Sequence, residues 1–185
     1  MKKYLGPKSC LYPEPVLMIG TYDDEGKANL MNAAWGGISD TNEIHLCLGS
    51  HKTTDNILRN KVFTVSIGTK EMVKGCDYVG LVSGKKKEDK VTKGGFTPVR
   101  SEHINAPIFE ELPFGLECEL ISYEKGSGHL YAKILNVFAD EKILVGDKVD
   151  LNKFHPLVFD SINNTYMTLG EVVGDAFKIG KDLFD

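Results

Sequence analysis

Residues 43–67 read EIHLCLGSHKTTDNILRNKVFTVSI, a strand pattern followed by a short helix pattern and a second strand pattern. At both ends of this stretch, apolar side chains recur at the alternating spacing that is typical of strands. The helix between them is expected to begin at Thr53 or Thr54, because threonine is a good N-cap, and to turn Ile57 and Leu58 toward the core. The stretch therefore predicts a strand that passes directly into the N-terminus of a helix.

Hairpin patterns extend on both sides of this stretch. Residues 15–22 and 28–35 are separated by DDEGK, a polar turn that contains glycine, and this arrangement predicts a hairpin. Residues 116–123 and 129–138 predict a longer hairpin around the turn EKGSG. Weaker strand patterns in the C-terminal third lie at 142–149, 157–160 and 166–169.

Helix patterns are few. Residues 72–81 predict a second helix that is broken by its two glycines, and residues 176–184 predict a short C-terminal helix. Residues 83–95 are basic and contain glycine, which favours a loop. Many short strands with few helices predict a mainly β fold with short helices, a small β-barrel that forms a single domain over residues 1–185.

Composition excludes several classes of protein. The net charge of -4 and the pI near 5.8 argue against nucleic acid as the partner. No segment approaches the run of about 18 apolar residues that a membrane span needs, and no apolar signal segment follows the first residues, so a cytoplasmic location without a membrane partner is expected. The cysteines form no C-x-x-C pair and the histidines do not cluster, so no metal site is expected.

The segment GSHKTTDNI at residues 49–57 has the composition of an anion site. A helix N-terminus presents unpaired N–H groups and the positive end of the helix dipole, and both favour a phosphate. The hydroxyl, cationic and amide side chains that could contact such an anion are Ser50, His51, Lys52, Thr53, Thr54 and Asn56. An ordinary capped helix with solvated polar residues explains the same segment equally well.

Two other segments permit a binding role. The small residues of NAAWGG at 32–37 would let a flat ligand approach the backbone, although a core strand that ends in a glycine turn explains them as well. The segment SGKKKEDK at 83–90 reads as a solvated loop unless it supplies cations to the same anion.

Taken in order, these segments resemble the flavin reductase-like and flavoredoxin family of FMN-binding split-barrel proteins. The shared motifs are PVLMIGT at 15–21, NAAW at 32–35, HKTTDNI at 51–57, YVGLVSG at 78–84, DK at 89–90, GFTP at 95–98, API at 106–108, LEC at 116–118, YMTLG at 166–170 and FKIGK at 177–181. The resemblance covers nearly the whole chain. It implies a six-stranded FMN-binding split barrel and a homodimer that holds one FMN per subunit near its interface.

The resemblance also implies the cofactor contacts. The isoalloxazine ring would lie along Asn32, Ala33, Ala34 and Trp35. The phosphate and ribitol would be held by Ser50, His51, Lys52, Thr53 and Asn56. The basic loop would close over the phosphate with Ser83, Gly84 and one or two of Lys85, Lys86 and Lys90.

The basic loop departs from the family pattern. The family often has Ser-Gly-Arg with two residues before Asp-Lys, whereas here Lys85 replaces the arginine and three residues intervene. Lysine cannot make the bidentate phosphate contact of arginine, and Val91 stands where an aromatic residue is common. Which lysine contacts the phosphate therefore stays open.

The function implied is that of an FMN-dependent oxidoreductase, reduced by NADH or NADPH and passing electrons to a free flavin, a metal complex or a redox protein. No catalytic residue is assigned, because the flavin carries the redox chemistry. One alternative is a flavoredoxin-like electron carrier with protein partners. Another is a non-enzymatic split barrel that binds a different phosphate ligand or haem.

For the homodimer, Phe109 and residues 157–159 are expected to lack partners within the chain, so that a two-fold interface would bury them.

Overall fold

A computed structural model describes residues 1–184, and most of its regular structure is β. The strands are β1 (Glu14–Pro15), β2 (Leu17–Tyr22), β3 (Ala28–Ala33), β4 (Gly36–Asp40), β5 (Glu43–Cys47), β6 (Val62–Ile67), β7 (Pro98–Arg100), β8 (Pro107–Phe109), β9 (Phe114–Glu124), β10 (His129–Ala139), β11 (Leu144–Val145), β12 (Lys148–Val149), β13 (Leu157–Asp160) and β14 (Thr165–Thr168). The α-helices are α1 (Lys52–Asn60), α2 (Val73–Leu81), α3 (Lys90–Lys93) and α4 (Leu151–Phe154). Short 3-10 turns lie at Lys70–Met72, Glu141–Ile143 and Ile179–Leu183.

One antiparallel sheet forms the body of the molecule, with its strands in the order β3-β2-β6-β9-β10-β5-β4. Its two edge strands, β3 and β4, are joined only by Ala34 and Trp35, so the sheet must curl until its edges lie close together. The result is the split barrel that the resemblance implies. It has seven strand segments instead of six, because the chain re-enters the sheet as β4 directly after β3.

The core occupies two regions. Inside the barrel, apolar side chains of the sheet pack with Ile57 of α1. Outside the edge formed by β2 and β3, a second cluster packs under α2 and α3, with Leu30, Val79 and Phe96 among its members. Strand β3 therefore has protein on both faces, and its free edge lies between α1 and α2.

The predicted hairpins and the strands around α1 are confirmed. The predicted helix start at Thr53 or Thr54 is wrong, because α1 begins at Lys52 with His51 as its N-cap. Ile57 is fully buried as expected, whereas Leu58 is 36% exposed and does not face the core.

Helix α2 is continuous and is not broken by its glycines. At Gly75 a Cβ atom would collide with the backbone oxygen of Gly94, so this glycine allows α2 to pack tightly against the chain after α3. The predicted loop at 83–95 contains α3, and residues 142–149 form a 3-10 turn and a small hairpin instead of one strand. Residues 176–184 hold a 3-10 turn in place of the predicted helix.

The prediction that Phe109 and residues 157–159 lack partners is wrong. Phe109 and Leu157 are buried in the cluster beneath α2, and the Phe159 ring packs on Tyr166. Strand β13 lies between β1 and β14, which covers this segment within the chain.

Within residues 1–184, none of the helices combines the length and the apolar composition that a membrane span requires.

Candidate functional site

A cavity of about 240 Å³, here called the α1 hollow, lies between the free edge of β3, the N-terminus of α1 and the chain after α2. The predicted site residues that line it are Asn32, His51, Lys52, Thr53, Ser83, Gly84 and Lys90. These residues come from three separate segments of the sequence. The fold therefore unites the helix entrance with the basic loop, as the resemblance implies.

Within residues 1–184, the N-terminus of α1 has no side-chain cap. Its N-cap residue, His51, makes no side-chain hydrogen bond to the helix, and the first backbone bond of the helix runs from Asp55 N to His51 O at 3.1 Å. The N–H groups of the first turn are consequently available to a ligand, and the helix dipole adds positive potential there. Both features favour an anion in the α1 hollow.

Thr53 is oriented by a residue that the sequence interpretation missed. The Asn29 Nδ2 atom donates a hydrogen bond to Thr53 Oγ1 at 2.8 Å, and both residues are buried. Asn29 lies on β3 at a position that alternates with the apolar Leu30, so it faces α1. A polar residue at an inward position of a strand was the signal that could have identified it.

Gly84 brings the basic loop against this pair. A Cβ atom on Gly84 would lie 2.5 Å from Asn29 Oδ1, closer than real Cβ atoms come, and in a tight contact of 3.3 Å with Lys52 Cδ. The absent side chain is therefore what allows the chain after α2 to approach β3 and α1. The α1 hollow depends on this close approach.

Lys52 is held by an acidic partner. Its Nζ atom lies 2.8 Å from Asp23 Oδ2, and the Asp23 Oδ1 atom accepts hydrogen bonds from the backbone N–H groups of Glu25 and Lys27. Burial raises the pKa of Asp23, but the bonds and charge from Lys52 and the bonds from the turn lower it more, so that it lies below its usual value. Asp23 is a second residue that the sequence interpretation missed, and it ties the β2–β3 turn to the start of α1.

Lys90 is a buried cation. Its Nζ atom donates to the carbonyl oxygens of Val79 at 3.1 Å and of Val82 at 3.0 Å, at the C-terminal end of α2. Burial, with a smaller contribution from the nearby charge of Lys52, lowers the pKa of Lys90 to about 8. Its ammonium group caps α2 and at the same time brings a positive charge to the wall of the α1 hollow.

The other lysines of the basic loop lie farther out. Lys85 forms an exposed ion pair with Asp55 of α1, with Nζ and Oδ2 2.7 Å apart, and so fastens the loop to the helix. Lys86 lines neither the α1 hollow nor the hollow beside it, and its backbone N–H donates to Ser83 O at 3.0 Å. Of the three lysines that the resemblance implies, only Lys90 lines the α1 hollow.

Asn56 lies beside the α1 hollow instead of in it. It lines a neighbouring cavity of about 370 Å³, which also contacts Lys85. Its amide is engaged on both sides, donating to Thr21 Oγ1 at 3.0 Å and accepting from Arg59 Nη2 at 2.7 Å. These bonds give Asn56 a role in fixing α1 against β2.

The remaining predicted residues are not part of the α1 hollow. Ala33 packs against the barrel core, and Ser50 is exposed outside the cavity lining. Ala34 and Trp35 line a different cavity of about 530 Å³, together with His45 and residues of the N-terminal segment. Trp35 is 55% exposed there. The two cavities are lined by neighbouring positions of the chain, Asn32 for the α1 hollow and Ala34 with Trp35 for this one.

The donors around the α1 hollow fit a phosphate group. They comprise free helix N–H groups, the Thr53 hydroxyl and the buried ammonium of Lys90, and a phosphate monoester supplies acceptor oxygens for all of them. Among residues 1–184, no group of three or more His, Cys, Asp or Glu side chains could hold a metal ion.

Comparison with known proteins gives consistent results. The family model described as "Flavin reductase like domain" matches residues 9–161. Flavoredoxin of Desulfovibrio vulgaris (Miyazaki F) is 36% identical with a TM-score of 0.92, over 98% of this chain and 100% of that chain. Flavoredoxin from Methanosarcina acetivorans is 31% identical with a TM-score of 0.88, over 99% of both chains.

At lower identity the fold alone is shared. An FMN-binding domain of a flavin reductases-like enzyme from Shewanella baltica OS155 is 17% identical with a TM-score of 0.80, over 88% of this chain and 89% of that chain. No curated protein matches the chain.

Proposed function

The chain belongs to the flavin reductase-like domain family, and we propose that it binds one FMN per subunit and works as an FMN-dependent oxidoreductase. The observation that carries the proposal is the α1 hollow, where an uncapped helix N-terminus, a buried hydroxyl and a buried cation surround one cavity. The solved structure from Shewanella baltica, which shares the fold, is itself described as FMN-binding.

Each part of the site has a distinct task. The first-turn N–H groups of α1, the Thr53 hydroxyl and Lys90 bind the phosphate, while Gly84 lets the loop close beside it. The end of β3 at Asn32 and Ala33, together with Ala34 and Trp35 that follow it, presents backbone groups and small side chains to the flat ring. When bound, FMN supplies hydride and single-electron chemistry, and the protein orients it.

The electron donor is proposed to be NADH or NADPH, and the acceptor a free flavin, a metal complex or a redox protein. The sequence contains no G-x-G-x-x-G motif after a strand, so a nicotinamide nucleotide would bind transiently over the flavin without a dinucleotide pocket of its own. The cavity at Ala34 and Trp35 offers space next to the ring for such a molecule.

A flavoredoxin-like electron carrier is the second candidate. It is favoured by the names of two relatives at 36% and 31% identity, both described as flavoredoxins. In that function the protein would exchange electrons with redox proteins and would react poorly with nicotinamide nucleotides.

A homodimer is part of the proposal. Apolar side chains remain exposed on strands β4, β9 and β10, including Ile38 at 70% exposure, Ile121 and Val137. A second copy of the chain would remove this apolar surface from water and would place another wall near the cavity at Trp35.

Anaerobic mixing of the FMN-loaded protein with NADH and with NADPH tests the activity. Bleaching of the flavin absorbance by either nucleotide supports the reductase. Bleaching by dithionite but by neither nucleotide leaves only the electron carrier. A haem Soret band in the purified protein, with no flavin uptake, would instead refute both flavin functions.

A further inference from the structure

We propose that Asn29 is a positioning residue that fixes the Thr53 hydroxyl as a hydrogen-bond donor to the phosphate of bound FMN. The inference rests on the proposed function. It concerns a contact between two side chains that lie 24 positions apart in the sequence.

The pair is enclosed by protein. Asn29 is 4% exposed and Thr53 is 2% exposed, and Asn29 Nδ2 lies 2.8 Å from Thr53 Oγ1. Both residues line the α1 hollow, on facing elements: Asn29 on the edge strand β3 and Thr53 in the first turn of α1. Protein therefore surrounds both side chains except where they line the α1 hollow.

The direction of this hydrogen bond decides what the hydroxyl can do. An amide nitrogen only donates, so Thr53 Oγ1 must act as the acceptor. The proton of the same hydroxyl then remains free to be donated to another group. Within residues 1–184, Thr53 Oγ1 makes no second hydrogen bond.

Thr53 donates to no backbone carbonyl within residues 1–184. It stands at the second position of α1, so the residue four positions earlier, Gly49, precedes the helix, and the Gly49 carbonyl oxygen accepts a bond of 2.7 Å from Thr54 Oγ1 instead. Donation toward an anion in the α1 hollow is consequently the favourable use of the Thr53 proton, since a buried hydroxyl gains more from a charged acceptor.

The Asn29 amide lies between the basic loop and the start of α1. Its oxygen faces Gly84, where an added Cβ atom would lie 2.5 Å away, and its nitrogen faces Thr53. The backbone of Asn29 is fixed by pairing with Thr21 of β2. Asn29 thus connects the basic loop, the barrel edge and the helix entrance, and it sets the hydroxyl before the ligand arrives.

A double-mutant cycle tests the inference, with dissociation constants for FMN and riboflavin measured by fluorescence quenching at pH 7.5. Riboflavin lacks the phosphate, so the ratio of the two constants isolates phosphate binding. Asn29→Asp keeps the shape of the side chain but replaces the donor by an acceptor. The Thr53 hydroxyl would then donate its hydrogen bond to this carboxylate instead of to the phosphate. Thr53→Val removes the hydroxyl and nearly preserves the shape.

If Asn29 acts through Thr53, Asn29→Asp lowers the preference for FMN by about tenfold more in the presence of Thr53 than in the Thr53→Val background. Repulsion between the new carboxylate and the phosphate acts equally in both backgrounds and cancels in the cycle. Equal losses in the two backgrounds would overturn the inference. If Asn29→Asp does not fold by circular dichroism, Asn29→Leu replaces it in the same cycle, with coupling of about threefold expected.

Thr64→Val is the matched control. Thr64 is a buried threonine on β6 whose hydroxyl donates to Pro107 O at 2.6 Å, away from the α1 hollow. The Thr64→Val substitution should lower the stability of the protein without changing its preference for FMN over riboflavin. A wild-type protein that binds FMN and riboflavin equally would refute the proposed phosphate site, whereas a clear preference without coupling would refute only the role of Asn29.

Discussion

Asp23 and Lys52 form an ion pair with Oδ2 and Nζ 2.8 Å apart, and this pair joins the turn of the first hairpin to the first residue of α1. Asp23 is nearly buried and also accepts two backbone hydrogen bonds from its own turn. One carboxylate therefore shapes the turn and orients a cation at the helix entrance. The α1 hollow is built on contacts of this kind between segments distant in sequence.

We expect Asp23→Asn to lower the free energy of unfolding by about 1–3 kcal/mol at pH 7, because it removes a charged acceptor of three hydrogen bonds. The pKa of Asp23 lies below its usual value, so the stabilisation is present above the unfolded-state pKa of about 4 and is lost as pH falls through the folded-state pKa. Urea unfolding should show that the difference in the free energy of unfolding between the wild type and Asp23→Asn becomes smaller in acid. Asp24→Asn, at an exposed neighbour, should change stability by less than about 0.5 kcal/mol. A pH-independent difference would contradict the ion pair.

We expect the affinity for FMN to fall as pH rises through about 8, relative to the affinity for riboflavin. The pKa of Lys90 is about 8, and a bound phosphate favours the charged ammonium, so binding above that pH must also take up a proton. Titrations with FMN and with riboflavin from pH 7 to pH 10 measure how steeply the ratio of the two affinities changes with pH. Lys90→Gln, which keeps a donor for the carbonyls of α2, should flatten it. An unchanged slope in this variant would assign the effect to another group.

We expect Gly84→Ala to weaken FMN binding by about 1–3 kcal/mol, because the new methyl group would collide with the buried Asn29 amide and displace the basic loop. Gly170→Ala is the matched control, since a Cβ atom there meets no atom within 4 Å. Isothermal titration with FMN compares the two variants. Equal affinities would show that the loop does not need this close approach.

We expect a homodimer by light scattering at micromolar protein, and we expect Ile38→Lys together with Val137→Lys to shift it toward monomer. These two side chains are exposed apolar residues of the barrel strands. Val145→Glu alters an exposed apolar residue of the small β11–β12 hairpin and should leave the mass unchanged. A wild-type monomer with FMN bound would contradict the dimer.

The barrel could be predicted from the sequence because its signals are local. Alternating apolar residues and glycine-containing turns specify the strands and hairpins, and each lies within a short window. The approach of α1 to the basic loop was available only through the resemblance, since no spacing rule connects residues 51–53 with residues 83–90.

The residues that the sequence interpretation assigned wrongly or missed all depend on contacts between segments distant in sequence. Thr53 looks like an N-cap by residue type, yet its hydroxyl is used by Asn29 and His51 takes the cap position. Lys90 looks like a solvated loop residue, yet the carbonyls at the end of α2 draw it into the interior. Asn29 and Asp23 were missed because their importance comes from partners elsewhere in the chain. Local patterns do not carry tertiary contacts of this kind.

The most direct test of the phosphate site is the comparison of FMN, riboflavin and FAD as ligands of the purified wild-type protein. Fluorescence quenching should give the tightest binding for FMN, with riboflavin weaker by at least about tenfold, because each lost contact between a charged group and the phosphate is worth about 1.5–3 kcal/mol. FAD should also bind more weakly than FMN, because each of its phosphates is disubstituted and offers fewer acceptor oxygens and less negative charge to the donors of the α1 hollow than the FMN monoester does. Equal dissociation constants for FMN and riboflavin would contradict a phosphate site at the N-terminus of α1.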